Sequence, residues 1–245
     1  MEAFYTIQGE GFHKGSAAYF IRIGGCDVGC HWCDVKESWN PLIHPATEIS
    51  KISSDAKQKS DIIVITGGEP LIYNMGPLTN LLINNKMKTH LETSGSYPLT
   101  GKWNWICLSP KKNKLPLKDI YSKANELKII VYNLDDLKFA EDQSMKVNKN
   151  CLLYLQPEWS KRDKIMPIIV DYEYEDGSVE RVTYPAQVWR KNDKEVRKLV
   201  PSNKKIISIN LDPDLETADI DTSNNSWPKK QDESDFDKFK SQVKG

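Results

Sequence analysis

Three cysteines of this chain, Cys26, Cys30 and Cys33, fall within eight residues in a C-x3-C-x2-C pattern. Three thiolates on one short loop can hold three irons of a 4Fe–4S cluster and leave the fourth open to a small molecule. A structural zinc is the competing reading, with His31 or His44 as a further ligand. The spacing, however, is not the paired C-x2-C of zinc knuckles. The second feature is Gly67-Gly68-Glu69-Pro70. Its glycines would bare backbone groups, and the Glu69 carboxylate could accept from an ammonium. Alone, such a segment reads as a tight turn; behind a cysteine loop it gains chemical sense. Gln8, Glu10, Thr93, Gly95, Ser109, Lys111 and Gln156 complete the set of residues able to meet a ligand.

The elements that must position them are short. Apolar, β-branched runs at residues 18–23, 61–66, 90–93, 105–108, 127–131 and 151–155 read as strands. Helical segments are expected at 47–57, 78–88, 117–124 and 135–145. This alternation is the pattern of stacked βαβ units on a parallel sheet, here an α/β fold in the form of a six-stranded partial TIM-like barrel. The cysteine loop, the Gly-Gly-Glu-Pro turn, Thr93, Gly95, Ser109, Lys111 and Gln156 all follow the C-terminal ends of strands, the edge at which parallel α/β folds bind ligands. The glycine-broken opening, residues 4–11, reads as a loop. Cys107 and Cys151 lie inside apolar strands and read as small buried hydrophobes.

Composition narrows the setting. Lys+Arg and Asp+Glu are equal at 34 each, so no global field favours nucleic acid as a partner. No apolar run approaches the ~18 residues of a membrane span. Met1-Glu2-Ala3-Phe4-Tyr5 lacks the features of a signal peptide. Five cysteines, three of them clustered, fit a metal site in a reducing cytoplasm.

Cys26/Cys30/Cys33 with residues 67–70 resemble the radical S-adenosylmethionine superfamily. Phe4-Tyr5-Thr6-Ile7-Gln8-Gly9-Glu10-Gly11, Arg22 and Cys30-His31-Trp32-Cys33-Asp34 are similar to the 7-carboxy-7-deazaguanine synthase family of queuosine biosynthesis. Glu92-Thr93-Ser94-Gly95, Ser109-Pro110-Lys111 and Gln156-Pro157-Glu158-Trp159 extend the likeness over about residues 1–170. The resemblance implies a lyase-type radical synthase in which a 5′-deoxyadenosyl radical takes a hydrogen from 6-carboxy-5,6,7,8-tetrahydropterin. Ring contraction and loss of ammonia would follow. It implies a 4Fe–4S cluster on the three cysteines. S-adenosylmethionine would lie against Trp32, Cys33, Asp34, Gly67, Gly68, Glu69, Gly95, Ser109, Pro110, Lys111 and Gln156. The pterin would meet Ile7, Gln8, Gly9, Arg22 and Thr93. A flavodoxin- or ferredoxin-like reductant and a homodimer come with the family. A structural ion pair is the plainer reading of Arg22. Where the family pattern often has a magnesium-binding Thr, this chain has Val35; the ion is then held by substrate and water near Asp34, or is not needed. A glycyl-radical activase and a zinc-stabilised binding module are the alternatives.

The likeness stops near residue 165, and the chain divides into a core, 1–165, and an extension, 166–245. Neither Cys nor His occurs from Leu152 onward. Residues 168–184 alternate about Asp176-Gly177, a type I′ hairpin signal, and 206–211 offers another strand. The end after Asp212 reads as extended or disordered. Thr183-Tyr184-Pro185-Ala186-Gln187-Val188-Trp189-Arg190 and Asn224-Asn225-Ser226-Trp227-Pro228 resemble the C-terminal end of gluzincin-type zinc aminopeptidases, without their zinc motif. The extension is expected to be foreign to the core, joined near residues 164–172, and to impair turnover.

Overall fold

The computed structural model describes residues 2–133, 135–161, 167–185, 195–214 and 222–229. The chain forms two compact units, Met1–Glu158 and Trp159–Gly245.

In the first unit β1 (Glu2–Ile7), β2 (Ala17–Ile23), β3 (Ile62–Gly67), β4 (Lys88–Thr93), β5 (Trp105–Leu108), β6 (Glu126–Val131) and β7 (Leu152–Pro157) form one sheet in sequence order. β2 to β7 pair parallel throughout, and β1 pairs antiparallel with β2. All six expected strands are present, within a mostly parallel seven-stranded sheet. The opening residues correct the reading of 4–11 as a loop: 4–7 belong to β1, and only the stretch after Ile7 turns. Phe4 and Phe20, in register across the pair, stack at 5.5 Å. This cross-strand aromatic contact holds an edge strand that its glycine-rich flank obscures.

The helices are α1 (Ile49–Lys57), α2 (Gly76–Asn84), α3 (Lys118–Tyr121) and α4 (Asp135–Ser144). Alternate residues of each strand point to opposite faces. Ile21, Ile63, Ile65, Leu91, Leu108, Leu127 and Ile129 pack with Ala56, Leu82, Ile120 and Ala140 from the helices. The intervening positions carry Arg22, Thr66, His90, Glu92, Cys107, Glu126, Lys128 and Gln156 on the other face. The strands are therefore apolar toward the helices and polar toward the interior of the curl. Glu10, beyond β1 at one edge, bonds Gln156 on β7 at the other (2.6 Å), which requires the sheet to curl.

The second unit is a four-stranded antiparallel sheet, β11-β10-β8-β9, of β8 (Ile168–Tyr174), β9 (Val179–Tyr184), β10 (Ile206–Leu211) and β11 (Ser226–Trp227). Val170, Tyr172 and Tyr174 form its core. The hairpin is as expected, but its turn is not type I′. The Gly177 amide donates to Tyr174 O and the Tyr174 amide to Ser178 O, and of the turn residues Gly177 alone has a positive φ, +79°. This is a three-residue loop in which glycine takes the left-handed position and asparagine-like geometry at Asp176 is not required. After Asp212 the described residues are ordered differently from expectation: Leu211 N–H donates to Asn225 O, and β11 joins β10. Residues 215–221 and 230–245, which share that expectation, lie outside the described set, as does the motif segment 186–190.

Candidate active site

The cysteine loop leaves the C-terminal end of β2. Cys26, Cys30 and Cys33 are free, partly exposed thiols. The Cys26 amide donates to Trp39 O and the Cys33 amide to Cys30 O. Burial raises the Cys26 and Cys30 thiols above the ordinary range, with Lys111 opposing it at Cys30. Iron would have to displace those protons. A 4Fe–4S cluster takes one thiolate per iron, and the three-thiol donor set of this loop fits it.

Gly67 and Gly68 dock the β3 end against this loop. The Gly68 amide donates to Ile23 O at 2.9 Å and the Glu69 amide to Gly25 O at 2.8 Å. A Cβ on Gly68 would stand 2.3 Å from Gly25 O, and one on Gly67 2.1 Å from Ile23 O. The pair is glycine because two backbones meet there.

Glu69 is 1% exposed. Oε1 accepts from the Leu71 amide (3.0 Å) and the Thr93 hydroxyl (2.5 Å), and Oε2 from the Ser94 amide (2.7 Å) and hydroxyl (2.5 Å). Four protein donors match the roughly four lone-pair sites of a carboxylate. Thr93 Oγ1 also accepts from the Gly95 amide. Gly95, at φ +74°, packs against Leu108, Ile120 and Pro116, and its carbonyl takes the Leu117 amide. Glu69, Thr93 and Ser94 clasp the ends of β3 and β4 together.

A cavity of about 170 Å³ opens beside the cysteine loop, lined by Cys30, Trp32, Pro110, Lys111, Tyr132 and Phe139 among others. It unites the Trp32 and Pro110–Lys111 segments, 78 or more positions apart in the chain. Lys111 Nζ lies 5.5 Å from the Trp32 ring centroid and 2.6 Å from both Ser109 O and Oγ. Burial lowers its pKa. Asn113 and Lys114 brace the loop from outside: Asn113 Nδ2 donates to Gly29 O (2.9 Å), and Lys114 Nζ to Asp27 Oδ2 (2.8 Å). Asp34 is exposed.

Ile7 ends β1 with 63% exposure, and a Cβ on Gly9 would meet open space. Gln8 is 8% exposed, yet its Nε2 finds no partner. Arg22 Nη1 pairs with Glu2 Oε1 at 2.5 Å, directly across the β1–β2 ladder, and the guanidinium covers Phe4. The plainer reading of Arg22 is thus realised, with most of its five donors left over.

The sequence reading missed one group. Lys128 Nζ lies 3.0 Å from Glu10 Oε2 and 2.9 Å from Glu92 Oε2, and Glu126 accepts from the Phe12 amide and Trp105 Nε1. The signal was present: two charges at period two, Glu126 and Lys128, within an apolar strand. Cys107 and Cys151 are buried, and burial raises both thiols, Cys151 to about 11; neither is a ligand in this arrangement.

A family model, the radical SAM superfamily, matches residues 20–104. The 7-carboxy-7-deazaguanine synthase of Flavobacterium psychrophilum is 60% identical over 172 residues, 70% of this chain and 82% of that protein. This chain belongs to the 7-carboxy-7-deazaguanine synthase family. The Synechocystis member is 46% identical over 175 residues, covering 70% of this chain and 84% of its own. The crystal structure of QueE from Escherichia coli superposes with a TM-score of 0.56 at 32% identity, over 64% of this chain and 81% of that one. As a member of the 7-carboxy-7-deazaguanine synthase family the chain is a radical SAM enzyme, with a 4Fe–4S cluster and S-adenosylmethionine as the family's cofactors. No helix among its described residues is long and apolar enough to cross a membrane.

Proposed function

We propose that this chain converts 6-carboxy-5,6,7,8-tetrahydropterin to 7-carboxy-7-deazaguanine with loss of ammonia. The observation that carries this reading is the 60% identity to a synthase of that product over 172 residues. Cys26, Cys30 and Cys33 would hold a 4Fe–4S cluster, which with S-adenosylmethionine would supply radical chemistry toward the pterin. The chain's own residues bind and orient. Trp32, Cys33, Asp34, Ser109, Pro110 and Lys111 border the nucleoside cofactor. Gly67, Gly68, Glu69, Gly95 and Gln156 shape the strand ends around it. Gln8 offers its unpartnered amide donor to an acceptor on the pterin edge. Arg22 keeps donors beyond the one given to Glu2 and can pair with the substrate carboxylate. Ile7, Gly9 and Thr93 border the same ligand. With Val35 offering no side-chain oxygen, magnesium would take its ligands from substrate and water near Asp34, or is not needed. A small flavin or iron–sulfur protein delivers the electron, and the enzyme works in the cytoplasm as a homodimer.

The test is anaerobic reconstitution with iron and sulfide, followed by addition of S-adenosylmethionine, a reductant and the pterin. 5′-Deoxyadenosine and 7-carboxy-7-deazaguanine are expected together. Cleavage of S-adenosylmethionine with no deazapurine, by the whole chain and equally by a chain without residues 171–245, would refute the substrate. Full turnover by the whole chain would remove the expectation that residues 166–245 impair it.

A further inference from the structure

Lys128 sits at the centre of the polar face, 8% exposed, with two carboxylates from distant parts of the chain on one ammonium. Glu92 belongs to β4 of the same sheet. Glu10 belongs to the loop between β1 and β2, and its second oxygen takes Gln156 Nε2 at 2.6 Å. The loop has another anchor: Phe12 donates its amide to Glu126 Oε2 and stacks on Trp105 at 5.0 Å, and a Cβ on Gly11 would meet the Glu126 carboxylate. Gln8 pairs its backbone with Ser16 O and the Gly15 amide at the mouth of the hairpin, so Glu10 governs the course of Gly9 and of the loop tip beyond it.

We propose that Lys128 is a positioning residue for substrate recognition, fixing the β1–β2 loop through Glu10 so that Gly9 and the loop tip meet the pterin beside Gln8. The inference rests on the reading of that loop as part of the pterin site. Burial alone would lower the ammonium's pKa, but Glu92 and Glu10 hold it well above the ordinary value, so the clamp is charged at neutral pH. Without it, two carboxylates would face each other on a half-dry surface and the loop would lose the attraction that seats it.

The test compares the reconstituted full chain with Lys128→Met and Lys128→Arg. Lys128→Met is expected to raise KM for the pterin about tenfold or more while kcat stays within about threefold. Amide hydrogen exchange in residues 8–16, measured without substrate, should quicken about tenfold or more. Lys128→Arg, whose fork can still reach both carboxylates, should recover most of both effects. An unmoved KM overturns the proposal, whether or not the loop exchanges faster, since faster exchange alone would make Lys128 merely structural. Unmoved exchange overturns it as well. Should Lys128→Met not fold, Glu10→Gln removes only the half-exposed end of the clamp and must move KM and exchange in the same direction. If neither the parent chain nor a chain without residues 171–245 turns over the pterin, the proposed function has failed, while the exchange measurement still judges the clamp.

Discussion

Glu69 and Ser94, 25 positions apart, are joined twice: one carboxylate oxygen accepts both the amide and the hydroxyl of the serine, at 2.7 and 2.5 Å. With Thr93 on the other oxygen, this closes the C-terminal ends of β3 and β4 directly behind the cysteine loop. A turn that in sequence offers an acid to a ligand has, in the fold, that acid engaged by four protein donors.

Removing that charge tests this closure. Glu69→Gln keeps the volume but sets an amide NH2 against donors, leaving at least one of them unsatisfied. The expected loss is about 3 kcal/mol of unfolding free energy. Urea denaturation of parent and variant measures it, and a midpoint unchanged at equal slope would contradict the assignment.

Gly68→Ala addresses the contact between the two motifs. The added Cβ would stand 2.3 Å from Gly25 O and 2.8 Å from Cys26 Cβ, so the cysteine loop must move. Iron bound per chain after reconstitution should fall to roughly half or less, the result expected from misplaced thiolates. Gly9→Ala, whose Cβ meets open space, should bind iron as the parent does.

His90 gives a pH dependence. Burial first, then the charges of His13 and Lys88, lower its pKa to about 4, and its Nδ1 is buried without a partner. The unfolded chain, with its histidine near the ordinary value of about 6.5, takes the proton first. This contribution to stability is complete above about pH 6.5 and is lost as pH falls toward 4. The melting temperature should therefore drop by a few degrees or more between about pH 7 and pH 5, and His90→Gln should flatten that slope. An identical slope in the variant would assign the dependence elsewhere.

Val35→Thr restores a side-chain oxygen next to Asp34. Turnover of the variant should respond to magnesium, measured against a chelated control, about threefold or more strongly than the parent. Equal responses would place the ion, or its absence, outside the influence of position 35.

The sequence by itself determined the six parallel strands, the helices between them, the cysteine loop and the strand ends at which the polar residues cluster. These follow from local rules: side-chain period, β-branching, and glycine or proline where the chain must turn. β1 escaped because an edge strand is stabilised by its neighbour, through Phe4 on Phe20, and not by its own pattern. The tail hairpin was legible, but its turn type was not, because Asp-Gly serves two loop lengths and the pairing of Tyr174 with Ser178 selects one. Only the tertiary structure decided which ligand-capable groups are already engaged. Glu69, Thr93 and Arg22 found partners in the protein, whereas Gln8 kept a buried donor with none. It also decided that Lys128 meets Glu10 and Glu92, 118 and 36 positions away. Such contacts depend on how far the sheet curls and where a loop crosses it, quantities set by the packing of the whole unit and by no local stretch of sequence.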